Sequence, residues 1–359
     1  MYFALIIIVF LFLVIILKPG YTPKIKIHGE VQEEKCIAEL TKIKLGASEQ
    51  WILIRSENTD NPIILFVHGG PGTSQLTLMR HNTLPIEKYF TVVNWDQRGA
   101  GKSYNAIKDK SRMNLEQFVS DINELSDYLI KRFNKRKIIL VGHSWGSAIS
   151  ALAVSKRPEL YSSYIGIGQV SNVLESEKIS YEWTHQQASK ANDASSVKKL
   201  TEMGNPPYSG DWLRKFLTQR RIVGKYGGEY YGSKSGAFIV VLKSLIWSTE
   251  YTFADRINFF KGIMESLKLL NPELMKVNLF EQVPELKVPV WFMLGRHDLE
   301  VPSVLSAKYF DAITAPEKTL YWFENSSHMP NTEERKLFNK ILVEKVLYEV
   351  GQYLSKNPD

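Results

Sequence analysis

The sequence predicts an α/β protein with a mostly parallel, twisted sheet that is flanked by helices and interrupted by a helical cap. Short apolar runs without polar alternation are typical of strands buried on both faces of a parallel sheet. Helical stretches separate several of these runs, as in α/β architectures. The alternation stops over residues 171–285, where aromatic residues and Gly/Pro breaks are frequent. We therefore expect that stretch to form a mostly helical cap.

The composition is that of a globular protein, and it excludes several kinds of site. A chain of 359 residues, 44% of them hydrophobic, can bury a sizeable core without covalent cross-links. Cys36 is the one cysteine and the 7 histidines are scattered, so neither an intrachain disulfide nor a structural zinc site is expected. The net charge of +7 is not gathered into a basic platform with aromatic residues, which argues against a nucleic-acid partner. No metal or other cofactor is predicted.

Residues 1–17 form an unbroken apolar run that predicts a single-pass membrane anchor. As a helix at about 1.5 Å per residue it would span roughly 25 Å, close to the hydrocarbon thickness of a bilayer. A cleaved signal peptide is the alternative, although a positively charged start and an A-x-A-like cleavage site are missing. The flanking lysines, which include Lys18, predict that the catalytic domain lies on the cytoplasmic side.

The elements after this run follow in order. Residues 18–35 are predicted to be a tether, and residues 39–45 and 50–54 a hairpin, because polar and apolar residues alternate there. Buried strands are predicted at 63–67, 91–94, 138–141, 164–167, 290–294 and 319–323, and helices at 115–133, 144–156 and 333–354. The core domain is then 36–170 together with 286–359, and the cap domain is 171–285.

The strongest functional motif is Gly-His-Ser-Trp-Gly at residues 142–146, which matches G-x-S-x-G. It directly follows an apolar strand and directly precedes a helix of small and apolar residues, the setting of a nucleophile elbow. The glycines allow a close approach of strand and helix. The amino terminus of the helix places positive potential beneath a developing oxyanion. Ser144 is therefore the predicted nucleophile.

A second glycine-rich turn, His-Gly-Gly-Pro-Gly at residues 68–72, follows the strand at 63–67. In this setting the oxyanion hole takes one backbone N–H from such a loop and one from the residue after the nucleophile. We expect Gly70 and Trp145 to supply them. In the segment 95–103, Asp96 and Arg98 are expected to form an ion pair that braces the loop.

The general base and its acid are expected after later strands, in the order Ser, Asp or Glu, His. Asp298 follows the strand at 290–294, and Glu300 is its neighbouring rival. His328 follows the last predicted strand and is the predicted base, whereas His143 and His297 are expected to pack or to line the cleft. The spacing thus predicts a Ser144–His328–Asp298 triad.

Together these segments resemble the proline iminopeptidase-like branch of the α/β-hydrolase superfamily, peptidase family S33. The resemblance rests on residues 68–72, 95–103, 142–147 and 295–298, and covers roughly 40–170 and 285–355. It implies an α/β-hydrolase fold with a helical cap before the strand of the acid.

The resemblance also implies a function and a binding site. The implied activity is that of an aminopeptidase that releases small N-terminal residues from a short peptide or a similar small molecule. Aminopeptidases of the family hold the substrate's amino group with cap glutamates, for which Glu182, Glu229 and Glu250 are the candidates here.

Two alternatives stay open. A membrane-proximal esterase that acts on lipid-like carboxylic esters is favoured by the apolar amino terminus, the aromatic cap and the Gly-His start of the nucleophile motif. A non-catalytic binding module on a hydrolase scaffold is disfavoured, because the Ser/Asp/His set is complete.

Overall fold

The computed structural model describes residues 18–27, 30–31, 34–233 and 236–356. Its strands are β1 (Lys26–Ile27), β2 (Glu30–Val31), β3 (Ile37–Leu45), β4 (Ser48–Ser56), β5 (Ile63–Val67), β6 (Thr91–Asp96), β7 (Ile138–His143), β8 (Tyr161–Ile167), β9 (Val290–Gly295) and β10 (Lys318–Phe323). In this part of the chain β3 to β10 form one 8-stranded sheet in the order β10-β9-β8-β7-β5-β6-β4-β3. The strands from β10 to β6 in this order run parallel, and β4 and β3 add an antiparallel edge.

The helices are α1 (Leu76–Thr83), α2 (Leu115–Arg132), α3 (Trp145–Lys156), α4 (Val173–Lys190), α5 (Ala194–Met203), α6 (Trp212–Lys225), α7 (Phe238–Trp247), α8 (Phe253–Leu274), α9 (Leu279–Gln282), α10 (Ser303–Ala312), α11 (Pro330–Glu333), α12 (Arg335–Ile341) and α13 (Leu347–Lys356). Short 3₁₀ helices lie at Leu84–Ile86, Gly101–Lys108, Lys110–Arg112 and Pro158–Leu160, and a π-helix lies at Leu342–Val346.

Helices cover both faces of the sheet, as its apolar strands require. Successive residues of β5 point to opposite faces, so Leu65 packs in one apolar cluster and Phe66 in the other. Helices α2 and α3 pack on the first face, where Ile122 and Ile149 are fully buried. Helix α1 and the carboxyl-terminal helices cover the second face, with Phe338 at its centre. The predicted α/β-hydrolase fold is confirmed.

Two helices were not expected from the sequence. Helix α1 has only 8 residues, and Arg80, His81 and Asn82 interrupt its apolar pattern. Helix α10 follows the loop of the predicted acid. The single helix expected at 333–354 is instead divided into α11, α12, a π-helical turn and α13. Pro330 begins α11, since a proline is tolerated in the first turn of a helix.

The predicted membrane localisation is contradicted. Among the residues that the structure describes, no helix is both long enough and apolar enough to cross a bilayer. Helix α8 has 22 residues but carries charges such as Asp255 and Lys261, and the strongly apolar α7 has only 10 residues where about 20 are needed. The run 1–17, from which the anchor and its cytoplasmic orientation were predicted, lies outside the described residues.

Candidate active site

The loops after β5, β7, β9 and β10 meet at the carboxyl edge of the sheet. The strand order reverses as the chain passes from β6 to β7, so the switch point lies between the neighbouring strands β5 and β7. In open α/β sheets such a switch point is where ligands bind. A cavity of about 300 Å³ opens there, and Ser144, His328, Gly69 and Gly70 line it. The loops of the sheet thus bring the predicted nucleophile, base and oxyanion turn to one cavity.

Ser144 lies on a strained turn between β7 and α3. Its φ of 54° and ψ of −126° are unusual for a residue with a side chain, and such outliers concentrate at functional sites. The turn passes close to β5, because a Cβ on Gly146 would lie 2.2 Å from the carbonyl oxygen of Val67. Only glycine allows this approach, which exposes the serine at the amino terminus of a 12-residue helix.

His328 and Asp298 form a buried pair beside this turn. His328 Nδ1 lies 2.8 Å from Asp298 Oδ2, while Asp298 Oδ1 accepts the backbone N–H groups of Glu300 and Val301 at 3.0 and 2.9 Å. Because Nδ1 donates to the carboxylate, Nε2 of the neutral ring is left as the proton acceptor. Burial alone would lower the pKa of His328, but the charges of Asp298 and Glu300 outweigh it and raise this pKa to about 9.

The turn at residues 68–72 lies directly against the nucleophile. A Cβ on Gly69 would come within 2.9 Å of the Ser144 Cβ. His68 Nε2 accepts the backbone N–H of Gln97 at 3.2 Å, and the Gln97 side chain accepts the indole N–H of Trp145 at 3.1 Å. Burial lowers the pKa of His68 to about 4, so its ring is neutral and can accept this bond. Gln97 thus ties the oxyanion turn to the nucleophile elbow.

His143, the second residue of the nucleophile motif, bonds the loop of the base. Its Nε2 lies 2.8 Å from the backbone carbonyl oxygen of His328, and its Nδ1 lies 3.0 Å from the Nε2 of Gln75. The two partners require one tautomer, in which Nε2–H donates to the carbonyl and Nδ1 accepts from the amide. Burial, and then the neighbouring charge of His328, lower the pKa of His143 to about 3. The ring therefore stays neutral while it holds the base loop.

Two carboxylates, Glu229 and Glu300, line the same cavity together with the guanidinium of Arg220. The backbone carbonyl of Glu229 accepts the N–H of His328 at 3.1 Å, which places Glu229 beside the predicted base. Burial, and then the charge of Glu300, raise the pKa of Glu229 to about 7. Arg220 pairs with the buried carboxylate of Glu177, and its Nε lies 3.9 Å from Glu300 Oε1. Carboxyl groups thus outnumber the guanidinium group among the residues that line this end of the cavity.

The other two candidate glutamates lie elsewhere. Glu182 is exposed on α4 and does not line the cavity. Glu250 is buried, lies 3.3 Å from Arg80 and accepts the Ser248 hydroxyl at 3.0 Å. Of the three carboxylates that the resemblance suggested, the structure brings Glu229 alone to Ser144.

Sequence reasoning overlooked Glu300 and Arg220 as cavity residues. The position of Glu300, two residues after Asp298, makes it a rival for the role of the acid and also puts it at the same edge of the sheet. Arg220 lies on α6, and the sequence around it gives no indication that its side chain lines the cavity.

The expected ion pair between Asp96 and Arg98 is not present. Arg98 bonds Asp121 of α2 instead, at 2.9 Å between Nη2 and Oδ2, with both side chains fully buried. Asp96 accepts the hydroxyl of Tyr251 at 2.5 Å and the backbone N–H of Lys102 at 2.8 Å. Asp96 thus binds the cap rather than its neighbour in sequence.

Comparison with known proteins shows the family to which the chain belongs. The family described as alpha/beta hydrolase fold matches residues 62–334. A probable aminopeptidase, YbaC of Bacillus subtilis, is 36% identical over 87% of this chain and 97% of its own, and a proline iminopeptidase of Heyndrickxia coagulans is 25% identical over 77% and 88%. The crystal structure of a proline iminopeptidase from Mycobacterium smegmatis superposes with a TM-score of 0.61 at 16% identity, over 88% of this chain and 98% of that one, which is a likeness of fold.

Proposed function

The chain belongs to the α/β-hydrolase family, in its proline iminopeptidase-like branch, and from this premise we propose that it is a serine aminopeptidase that removes the first residue of short peptides. The observation that carries the proposal is the presence of two carboxylates in the cavity that holds Ser144 and His328. A hydrolase that binds a free N-terminal ammonium needs such negative groups beside its nucleophile.

In the proposed reaction, Ser144 Oγ attacks the carbonyl carbon of the first peptide bond while His328 Nε2 takes the hydroxyl proton. Asp298 holds the ring in the required tautomer and stabilises the imidazolium. The tetrahedral oxyanion accepts the N–H groups of Gly70 and Trp145. His328 then gives its proton to the leaving nitrogen, and water repeats the sequence to release the free amino acid from Ser144.

Glu229 and Glu300 are proposed to bind the substrate's ammonium group. Both carboxylates contribute to the raised pKa of His328. A bound cation offsets their charge, so it lowers the pKa of His328 and favours the neutral ring that acts as base. A substrate without a free amine does not produce this effect. Recognition of the amine and activation of the base are therefore coupled.

Aminoacyl-anilides with free and with acetylated amines test the proposal. We expect acetylation to lower kcat/KM by at least about 10-fold, since a hydrogen bond to a charged group contributes about 1.5–3 kcal/mol. Glu229→Gln is expected to cause a loss of similar size for the free amine and little loss for the acetylated substrate. Glu182→Gln, on the exposed face of α4, is the matched control. Equal hydrolysis of the free and acetylated compounds by the wild-type enzyme would contradict the proposal.

An esterase is the second candidate, and the apolar wall of the cavity favours it. Leu242 and Phe259 are among the apolar side chains that line the space next to Ser144. Short-chain acyl esters without an amine decide between the two candidates. An esterase hydrolyses them with a higher kcat/KM than the aminoacyl compounds, whereas an aminopeptidase prefers the free amine.

A further inference from the structure

We propose that this site prefers peptides whose first residue has a large apolar side chain, such as leucine, methionine or phenylalanine, over peptides that begin with proline or alanine. The inference rests on the proposed aminopeptidase function and specifies its substrate class. It is an alternative to the small N-terminal residues that the family resemblance implies, and the substrate series below decides between the two.

The cavity is divided into a charged end and an apolar side. Glu229, Glu300 and Arg220 form the charged end beside His328. Cap helices α7 and α8 supply an apolar wall that includes Val241, Leu242, Leu245, Phe259, Ile263 and Leu267. An N-terminal residue carries its ammonium and its side chain on the same carbon. A ligand with the ammonium at the charged end therefore directs its side chain along the wall.

The size of the cavity favours a large side chain. A cavity of 150 Å³ lined by aliphatic and aromatic residues already accepts a benzene molecule. The space beside Ser144 measures about 300 Å³, enough for a phenyl or isobutyl group together with the backbone of the residue. The pyrrolidine ring of proline and the methyl group of alanine leave much of the apolar wall uncovered. Each methylene group that stays exposed to water loses about 0.8 kcal/mol of favourable transfer free energy.

The wall is held in place relative to the nucleophile. Helix α8 touches the core directly, because a Cβ on Gly262 would lie 2.4 Å from the carbonyl oxygen of Gly99. Leu245 and Phe259 are only 3% and 4% exposed, and they belong to an apolar cluster with Leu76 of α1. The wall therefore acts as a preformed pocket for a side chain, since it is packed against the core rather than loosely covering it.

A substrate series tests the inference with the full chain. The kcat/KM values are compared for prolyl, alanyl, leucyl and phenylalanyl amides of one fluorogenic amine. We expect leucine to exceed alanine by about 50-fold, from the transfer free energy of three methylene equivalents, and to exceed proline, whose side chain has one carbon fewer than that of leucine, by about 4-fold. If prolyl or alanyl amide is the best substrate, the inference fails while the aminopeptidase function stands. If no free-amine amide is hydrolysed, both fail.

Leu242→Trp tests the role of the wall directly. The larger side chain fills the pocket, so we expect kcat/KM for leucyl and phenylalanyl amides to fall by at least about 10-fold, with a small change for alanyl amide. Ile239→Trp is the matched control, because Ile239 lies on the same helix, is 41% exposed and does not line the cavity. Titration of Ser144 with a fluorophosphonate normalises each rate to folded enzyme. An equal loss for all amides in Leu242→Trp would overturn the inference.

Discussion

At the scale of single residues, the charge around His328 decides at which pH this side chain can serve as the proposed base. The charges of Asp298, Glu300 and Glu229 raise its pKa to about 9 despite the opposing effect of burial. A general base acts only in its unprotonated form, so the activity that depends on His328 falls as the pH drops below this pKa. A substrate cation between Glu229 and Glu300 shifts the pKa of His328 in the opposite direction, toward neutrality.

The pH dependence of kcat follows from the direction in which the pKa of His328 is shifted. For an N-acetylated amino acid ester, which brings no cation into the site, we expect kcat to rise with pH through a midpoint near 9, the pKa of His328 without a neighbouring ammonium. For the same ester with a free amine, the midpoint of this rise is expected roughly 1–3 pH units lower, because the ammonium offsets the carboxylates. Steady-state kinetics on the two esters measures both midpoints. Identical midpoints would show that the amine does not bind beside the base.

At the scale of elements, the sequence predicts where the strands lie, but it does not predict which elements pair with each other or which side chains join them. The apolar run 63–67 coincides with β5, since a strand buried on both faces needs a continuous apolar sequence. Strand β6 extends beyond its predicted end to Asp96, because it also pairs with β4. The partner of Arg98 is Asp121 of α2, and no local pattern indicates which carboxylate a helix later in the chain will present.

His143 connects three elements, and its removal should affect catalysis more than binding. It joins the nucleophile elbow after β7 to the loop after β10 and to Gln75 before α1. We expect His143→Ala to lower kcat by roughly 10–100-fold with a small change in KM, because a misplaced base slows the chemical step. His143→Gln, which retains a donor, should restore part of this loss. His185→Ala on α4 serves as the control. An unchanged kcat in His143→Ala would refute the positioning role.

At the scale of the whole molecule, the catalytic loops follow from the fold, but the chemistry of the cavity depends on the cap. The motifs at 142–146 and 68–72 were recognisable because each lies between a strand and the element that follows it. The position of Glu229 depends on bonds between the cap and the core. Leu299 N–H donates to the Gly228 carbonyl at 2.9 Å, and the Ser327 hydroxyl donates to the Gly227 carbonyl at 2.6 Å. Sequence patterns carry no information about such long-range bonds.

In the proposed mechanism His328, held by Asp298, activates Ser144. Labelling with a fluorophosphonate, followed by mass spectrometry of the modified peptide, tests it most directly. We predict a single label on Ser144 in the wild-type enzyme, no label in Ser144→Ala, and labelling slowed by roughly 10⁴-fold in His328→Ala. A label on another residue, or undiminished labelling of Ser144 in His328→Ala, would contradict the account.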